Sequence, residues 1–312
     1  MRVAISDPDV DMARAREILL AAGAEAVFER SNWTGDDIVA IVVGAEGELR
    51  AQDLQRCPNL RIVAALSTGV DNLDMDALRH EGVAVWSPKD YCSDEVADSV
   101  LAHLLGLLRG TTFLDRSVRH GSWHFAAAGS LGRIDETRLG IIGLGTIGRK
   151  VATRARALNM AVSSFDPFIA PDDEAVEALG VKLVGLDELL QTSNAITIHV
   201  PLTEATRNLI SKDRIAVMPR GSILVNLARG KIVDTGAVLE ALTSGQLSGA
   251  ALDVLENEPP TDTSPAPRHP RLVVTPHAGW YSDRSARFLF QRPLEVIRDV
   301  LIHGTSSDLL SG

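Results

Sequence analysis

Along most of the chain, short apolar runs alternate with segments whose apolar residues recur every three or four positions. The short runs are rich in Val, Ile and Ala and predict β-strands, whereas the periodic segments predict amphipathic helices. Strands that alternate with helices and are almost continuously apolar are typical of parallel sheets covered on both faces, so the pattern predicts an α/β fold. The predicted strands are residues 2–6, 38–43, 60–66, 83–87, 138–142, 161–165, 195–200, 222–227, 249–254 and 271–276.

Two longer helical patterns help to divide the chain. The stretch from about 94 to 120 has apolar residues around most of its circumference, which predicts one buried helix or two in series, with a domain boundary near its start. The pattern over 284–304 predicts a final helix that packs back on the N-terminal domain. A chain of 312 residues exceeds what one hydrophobic core usually fills, so we expect two domains.

Composition and charge narrow the class of protein. A net charge of −10 argues against nucleic acid or an anionic membrane as the main partner. The start, MRVAISDPDVDM, lacks the features of a signal peptide, and no apolar run approaches the roughly 18 residues of a membrane span. Two cysteines without a CxxC motif are too few for a disulfide framework, so we expect a reducing cytoplasm.

A glycine-rich turn is the strongest local signal for chemistry. Gly143, Gly145 and Gly148 form GxGxxG directly after a predicted strand and at the start of a predicted helix. Such glycines allow a tight turn and close approach of the backbone to a pyrophosphate at the helix N-terminus. The next predicted strand ends at Asp166, where a carboxylate would bind ribose hydroxyls and repel a 2′-phosphate. The segment therefore predicts NAD binding, with NAD favoured over NADP.

Charged residues follow three other predicted strands. Arg229 and Asp253 each stand at a strand end, Glu256 and Glu258 lie in the loop after Asp253, and His277 follows a Thr-Pro that ends a strand. Each alone reads as an ordinary solvated polar residue. Because open α/β sheets bind ligands at the carboxyl edge of their strands, we expect these groups to converge there.

Such a set of groups suits the reduction of a 2-oxo acid. Arg229 would bridge the carboxylate and the ketone with its planar fork. A protonated His277 would give its proton to the carbonyl oxygen as hydride arrives from the nicotinamide. Glu258 would hold the other ring nitrogen, fixing the tautomer and favouring the charged form, and Asp253 would accept a hydrogen bond from the nicotinamide carboxamide.

Two further candidates are weaker. His120 and His124 have the spacing of helical metal ligands, but Gly121 lies between them and no third ligand is evident, so we expect no metal site. Cys92 beside Tyr91 has no base motif nearby, which favours a buried small side chain over a reactive thiol.

Four blocks, LGIIGLGTIGRKVA, ILVNLARGKIVD, GAALDVLENEPP and TPHAGWYS, together resemble the D-isomer-specific 2-hydroxyacid dehydrogenase family. Within it, TPHAGWYS, DYCSDEVADS and LLRGTT are most similar to the branch containing the C-terminal binding proteins. The resemblance implies two Rossmann-like, doubly wound parallel-sheet domains with the active site in the cleft between them. It implies a flavodoxin-like substrate domain of residues 1–97 plus 281–312, an NAD-binding Rossmann domain of residues 98–280, and a homodimer joined by the cofactor domains.

The resemblance also assigns roles to individual residues. The family's catalytic arginine, glutamate and acid–base histidine fall on Arg229, Glu258 and His277, and Trp280 would line the substrate pocket. The loop LSTGVDN would hold the substrate carboxylate through backbone N–H groups around Thr68, Gly69 and Val70. The implied cofactor contacts are Gly143, Gly145, Thr146, Ile147, Gly148, Asp166, Pro201, Thr206, Leu227, Ala228, Asp253 and Gly279.

Departures from the family pattern bear on the substrate. Phosphoglycerate dehydrogenases of the family hold the phosphate with an arginine near the third strand, where this chain has Glu46 and Glu48, and many carry a regulatory domain that would lie beyond residue 312. A phosphorylated substrate is therefore disfavoured. Asn159 replaces a glycine that commonly closes a helix, and asparagine tolerates the left-handed conformation.

We therefore expect an NAD-dependent D-2-hydroxyacid dehydrogenase acting on a small non-phosphorylated 2-oxo acid such as glyoxylate, hydroxypyruvate or pyruvate, or a bulkier one. Two alternatives stay open. One is an NAD(H)-sensing scaffold or co-repressor-like protein with weak dehydrogenase activity. The other is an NADP enzyme.

Overall fold

The computed structural model describes residues 1–44, 47–170, 173–306 and 309–310. The chain divides into two compact units, which we call the N-terminal unit (residues 1–91 and 282–312) and the central unit (residues 92–281). Domain boundaries after residues 97 and 280 stay a prediction. Among the described residues, no helix is both long enough and apolar enough to cross a lipid bilayer.

The N-terminal unit is built on a five-stranded parallel sheet with the order β2-β1-β3-β4-β5. This order is typical of flavodoxin-like domains. The central strand β3 is buried at all of its positions, because helices cover both faces of the sheet. Its strands are β1 (Arg2–Ile5), β2 (Glu25–Phe28), β3 (Ile38–Val43), β4 (Ile62–Ala65) and β5 (Ala84–Trp86), and its helices are α1 (Met12–Leu20), α2 (Ala51–Arg56), α3 (Met75–His80) and the last helix of the chain, α11 (Asp283–His303).

The central unit is built on a seven-stranded parallel sheet with the order β12-β11-β10-β9-β6-β7-β8. The chain starts at β6, winds outward through β7 and β8, and then returns to β9 on the other side. The switch point therefore lies between β6 and β9, where open sheets of this kind bind ligands. The strands are β6 (Arg138–Ile142), β7 (Ala161–Phe165), β8 (Lys182–Leu183), β9 (Ala195–Ile198), β10 (Ser222–Asn226), β11 (Leu247–Leu252) and β12 (Leu272–Val274).

Among its described residues, the central unit has seven α-helices. They are α4 (Ser93–Leu108), α5 (Thr111–Arg119), α6 (Thr146–Ala157), α7 (Glu174–Ala178), α8 (Leu186–Thr192), α9 (Lys212–Ala216) and α10 (Thr235–Ser244). The segment predicted as one or two helices is two in series, because Gly110 between α4 and α5 has a left-handed backbone with φ of 62°. After α6, Asn159 adopts φ of 61°, which agrees with the tolerance expected of asparagine.

The predicted fold class, two doubly wound parallel-sheet α/β domains, is confirmed. All ten predicted strands are present, whereas β2 and β8 were missed. Both are edge strands: β2 is exposed at both ends and β8 has two residues, so neither carries the continuous apolar run that marks a buried strand. The final helix α11 belongs to the N-terminal unit, where Arg61 beside β4 donates a hydrogen bond to the carbonyl of Val300 at 3.0 Å.

The burial of β3 generates a prediction about stability. Ile41 has no exposed surface, so Ile41→Ala should lower the free energy of unfolding by about 2–5 kcal/mol through lost burial and the cavity left behind. Leu20 on α1 is 75% exposed, and Leu20→Ala should change the same quantity by less than about 0.5 kcal/mol. Urea unfolding followed by circular dichroism measures both, and equal losses would contradict the assignment of β3 to the core.

Candidate active site

The glycine turn after β6 is shaped by close backbone contacts. Gly143 has φ of 92°, and a Cβ there would stand 2.9 Å from the carbonyl oxygen of His199. A Cβ on Gly148 would collide with the carbonyl oxygen of Gly143. Gly145, the N-cap of α6, is exposed, and a Cβ there would meet nothing within 4 Å. The turn thus packs α6 tightly against the sheet and leaves open space before the helix N-terminus, which fits the pyrophosphate of a dinucleotide.

Asp166 follows β7, the strand beside β6, and its carboxylate is fixed on the glycine turn. Its Oδ2 accepts a hydrogen bond from the backbone N–H of Leu144 at 2.9 Å, and its Oδ1 accepts one from the N–H of Phe168 at 3.0 Å. The side chain is half-buried. A negative group in this position suits ribose hydroxyls and opposes a 2′-phosphate.

Uncharged residues follow both strands that flank the switch point, β6 and β9. Thr146 and Pro201 are exposed, and Ile147 is half-buried at the start of α6. Thr206 fixes the loop after β9, because its hydroxyl donates to the carbonyl of Pro201 at 2.6 Å and accepts from the N–H of Thr203 at 2.7 Å. These residues therefore lie at the carboxyl edge of the sheet, after the two strands that flank the switch point, and their contacts with a cofactor stay predictions.

Arg229 lies in a tightly held loop after β10. Asn226 is fully buried; its side-chain amide donates to the carbonyl of Arg229 at 2.9 Å and its Oδ1 accepts from the N–H of Ala228 at 3.0 Å. The guanidinium of Arg229 donates to the carbonyl of Ala228 at 2.8 Å. At Gly230 a Cβ would collide with the backbone carbonyl of Leu255, so this loop lies directly against the loop that carries Glu258.

His277 and Glu258 form the hydrogen-bonded pair that the sequence led us to expect. The ring Nδ1 lies 2.7 Å from Oε2 of Glu258, and the other carboxylate oxygen accepts from the N–H of Leu255 at 2.6 Å. A carboxylate only accepts, so Nδ1 carries a proton, and the exchange of a proton between Nε2 and a substrate stays a prediction. The side chains are 36% and 29% exposed, so small molecules can reach the pair.

Asp253 anchors the loop of residues 275–279, which we call the histidine loop. Its carboxylate is 3% exposed and accepts three hydrogen bonds, from the hydroxyl of Thr275 at 2.6 Å, the N–H of Ala278 at 2.9 Å and the N–H of Gly279 at 2.8 Å. Its own carbonyl accepts the N–H of His277 at 2.7 Å. The expected bond from Asp253 to the nicotinamide carboxamide stays a prediction.

The remaining predicted residues of the central unit surround this loop. Gly279 packs closely, since a Cβ there would lie 2.8 Å from the side chain of Leu227. Leu227 is nearly buried and Ala228 half-buried. Trp280 is half-buried and meets Tyr281 edge-on, with ring centroids 5.7 Å apart.

The predicted carboxylate-binding loop is in the N-terminal unit, directly after β4. The hydroxyl of Ser67 donates to the carbonyl of Gly69 at 2.7 Å, and the hydroxyl of Ser87 donates to the carbonyl of Thr68 at 3.1 Å. Val70 next to them is half-buried. Side chains therefore hold the carbonyl groups of this loop, and its role toward a substrate stays a prediction.

Two histidines near these loops were not predicted as site residues from the sequence. His199 follows β9 beside the glycine turn, and desolvation lowers its pKa to about 4, so the ring is neutral at neutral pH. Desolvation also lowers the pKa of His103 on α4, more than the charge of Asp253 raises it. Asn226 was missed as well, although a single amide at the end of an apolar run was a signal for it.

The weaker candidates take part in local structure. The ring of His120 hydrogen-bonds the carbonyl of Arg116 at 2.7 Å, and His124 accepts the N–H of Ala126 at 3.1 Å. Cys92 is buried, as expected of a small packed side chain. Within the described ranges no cluster of three or more His, Cys, Asp or Glu is arranged to hold a metal ion.

The sequence is similar to a family model and to characterised dehydrogenases. Residues 101–279 match the model of the D-isomer specific 2-hydroxyacid dehydrogenase, NAD binding domain. A glycerate dehydrogenase of Methylorubrum extorquens is 36% identical over 83% of each chain. A D-3-phosphoglycerate dehydrogenase of Archaeoglobus fulgidus is 40% identical over 76% of this chain but 45% of its own length. The chain spans about half the length of the phosphoglycerate dehydrogenases it matches.

Solved structures show the same relationship over the whole chain. A D-lactate dehydrogenase from Aquifex aeolicus, complexed with NAD and lactic acid, has a TM-score of 0.86 and 26% identity and covers 100% of this chain and 99% of its own. A glyoxylate reductase from Paecilomyes thermophila has a TM-score of 0.84 and 26% identity over 99% and 98% of the two chains. The chain belongs to the D-isomer specific 2-hydroxyacid dehydrogenase family, and its residues 101–279 match the family's NAD binding domain.

Proposed function

We propose that this protein is an NAD-dependent D-2-hydroxyacid dehydrogenase that interconverts a 2-oxo acid and the corresponding 2-hydroxy acid. The observation that carries the proposal is the His277–Glu258 pair, 2.7 Å apart and half-exposed, beside the Arg229 loop. These groups follow strands of the same parallel sheet whose switch point carries the glycine turn. Proton transfer, anion binding and dinucleotide binding thus have separate groups at one edge of the sheet.

Proton transfer is assigned to His277. When bound, NADH would supply hydride to the carbonyl carbon of the substrate. His277, held at Nδ1 by Glu258, would give the proton on Nε2 to the carbonyl oxygen, and it would take that proton back in the oxidation direction. The negative charge of Glu258 stabilises the imidazolium that gives the proton.

Substrate orientation is assigned to Arg229. Its planar guanidinium suits a carboxylate and an adjacent ketone oxygen, and the buried amide of Asn226 fixes the backbone from which it projects. We also assign the backbone N–H groups around Thr68, Gly69 and Val70 to the substrate carboxylate. Support for this comes from the two serine hydroxyls that hold the carbonyl groups of their loop.

The substrate class that we propose is a small, non-phosphorylated 2-oxo acid. Glu48 would repel a phosphate, although Arg50 lies 3.1 Å from it and lessens that effect. Glu46, the other acid that we weighed, lies outside the described residues. The half-buried Trp280 next to the histidine loop is assigned to the substrate side chain. Several relatives are phosphoglycerate dehydrogenases, so 3-phosphohydroxypyruvate is the phosphorylated acid to compare.

A substrate panel tests both the activity and its alternatives. NADH oxidation, followed by absorbance, should be seen with glyoxylate, hydroxypyruvate, pyruvate or a bulkier aryl 2-oxo acid, and should be weak with 3-phosphohydroxypyruvate. NADPH should support slower turnover than NADH, because the Asp166 carboxylate opposes a 2′-phosphate. Tight NADH binding without turnover of any acid would favour the NAD(H)-sensing scaffold, and a preference for NADPH would favour the NADP enzyme.

Variants of the histidine pair test the assigned roles. His277→Ala should lower kcat by about 10²- to 10⁴-fold, since it removes the proton donor, and NADH binding measured by fluorescence should change little. Glu258→Gln keeps an acceptor but loses the charge, so kcat should fall by less. His80→Ala, an exposed imidazole at the end of α3, serves as the matched control. Near-normal kcat in His277→Ala would show that another group moves the proton.

We further propose a homodimer joined through the central unit, in the cytoplasm. Support comes from apolar side chains exposed in and after α5, with Trp123 88%, Phe125 83% and Val118 46% exposed. Clustered exposed aromatics of this kind mark interaction surfaces. Both cysteines, Cys57 and Cys92, are buried, and two cysteines are too few for a disulfide framework, which suits a reducing compartment.

Sedimentation velocity tests the dimer. The wild-type protein should sediment as a species of twice the mass of the 33.4 kDa chain. Replacing Trp123 and Phe125 by serine should shift it to the monomer, because the apolar contact area is lost. Phe168→Ser removes an equally exposed aromatic side chain, 96% exposed after β7, and should leave the dimer intact. A dimer that survives the double substitution would place the interface elsewhere.

A further inference from the structure

We propose that Ser99 and His103, one turn apart on the same face of α4, are positioning residues that hold the two ends of the histidine loop and thereby orient His277. The inference rests on the proposed role of His277 in proton transfer. Neither residue is assigned a contact with substrate or cofactor, so both act through the loop. Residues four apart on a helix face the same way, which lets one rigid element reach both ends of a short loop.

The C-terminal end of the loop is held by Ser99. Its hydroxyl donates a hydrogen bond to the carbonyl of Gly279 at 3.1 Å. The N–H of the same glycine donates to Asp253 at 2.8 Å, so both sides of this residue are fixed. Gly279 can therefore neither rotate its peptide nor move away from β11 without breaking one of these bonds.

The N-terminal end is held by His103 through Thr275. The hydroxyl of Thr275 lies 2.6 Å from Oδ1 of Asp253 and 3.5 Å from Nε2 of His103. The carboxylate can only accept, so the one hydroxyl proton is committed to Asp253 and the hydroxyl oxygen accepts from His103. The imidazole must then carry a proton on Nε2. Since desolvation lowers the pKa of His103, the ring is neutral and this single proton defines its tautomer.

The middle of the loop needs such support. His277 has φ of 51°, in the left-handed region that residues with a side chain seldom adopt. Such a conformation persists only where the surroundings over-determine it. The N–H of His277 donates a hydrogen bond to the carbonyl of Asp253. Helix α4 adds the hydrogen bonds of Ser99 and His103 at the two ends of the loop. The helix is a firm base for them, because Val100 and Leu104 beside these residues have no exposed surface.

The proposal makes a kinetic prediction. Thr275→Val and His103→Leu should each lower kcat by about tenfold to a hundredfold, because small misplacements of a catalytic group have effects of this size. KM for the 2-oxo acid and the dissociation constant of NADH should stay within about twofold, since Arg229 and the glycine turn are untouched. The double variant should be no worse than Thr275→Val alone, because the two residues form one hydrogen-bonded unit.

Conservative variants separate positioning from a general loss of structure. His103→Gln and Thr275→Ser keep a donor and a hydroxyl and should recover most of kcat. Ser99→Ala removes a single hydroxyl and tests the other end of the loop with least disturbance to folding. Ala102→Ser, on the exposed side of α4, is the control for changes to the helix itself. Unchanged kcat in Ser99→Ala, Thr275→Val and His103→Leu would overturn the proposal, as would an equal loss in His103→Gln and His103→Leu.

A measurement without turnover distinguishes this proposal from the proposed function. Diethyl pyrocarbonate should modify His277 faster in His103→Leu and Thr275→Val than in the wild type, and peptide mass spectrometry measures the rate. In the wild type, ¹⁵N NMR should show His103 as the Nε2–H tautomer. These results would support the positioning role even if no 2-oxo acid were turned over, in which case only the dehydrogenase proposal would fall. Unchanged modification rates in all variants, or an Nδ1–H tautomer, would overturn the positioning role.

Discussion

The hydrogen bonds to the buried carboxylate of Asp253 are the interactions on which the carboxyl edge of the central sheet depends. This carboxylate stands where β11 ends and accepts hydrogen bonds from three donors in the histidine loop, which links the strand directly to the segment that carries His277. Such donors offset the free-energy cost of burying a carboxylate. The donors are held in place in turn, because each must lie within hydrogen-bond distance of Asp253. His277 lies within the histidine loop, and its backbone is left-handed, with φ of 51°.

Three imidazoles lie at or near the same sheet edge, and they differ in burial and in their hydrogen-bond partners. Desolvation lowers the pKa of both His199 and His103, so at neutral pH each ring is a neutral imidazole. His277 is half-exposed, and its Nδ1 lies 2.7 Å from the carboxylate of Glu258. The environment, more than the residue type, separates the proposed proton donor from imidazoles that serve the architecture.

Most of the fold was predictable because buried parallel strands and the glycine turn have local signatures. The His277–Glu258 contact was also expected, since both residues follow strands of one sheet. Ser99, His103 and Asn226 were not predicted, because each acts through a partner that only the folded chain brings near. On the sequence, Ser99 and His103 read as polar interruptions of an apolar helix. The catalytic and binding roles themselves stay predictions.

The strand order of the central unit separates the residue proposed to select the dinucleotide from the residues proposed to act on the acid. Asp166 follows β7 on one side of the switch point, whereas Arg229, Glu258 and His277 follow β10, β11 and β12 on the other. Under the proposed function, mutations that alter the choice of dinucleotide would fall on one flank of this sheet, and those that alter the groups assigned to proton transfer on the opposite flank. A scaffold divided in this way can diverge in one property during evolution while the other is inherited intact.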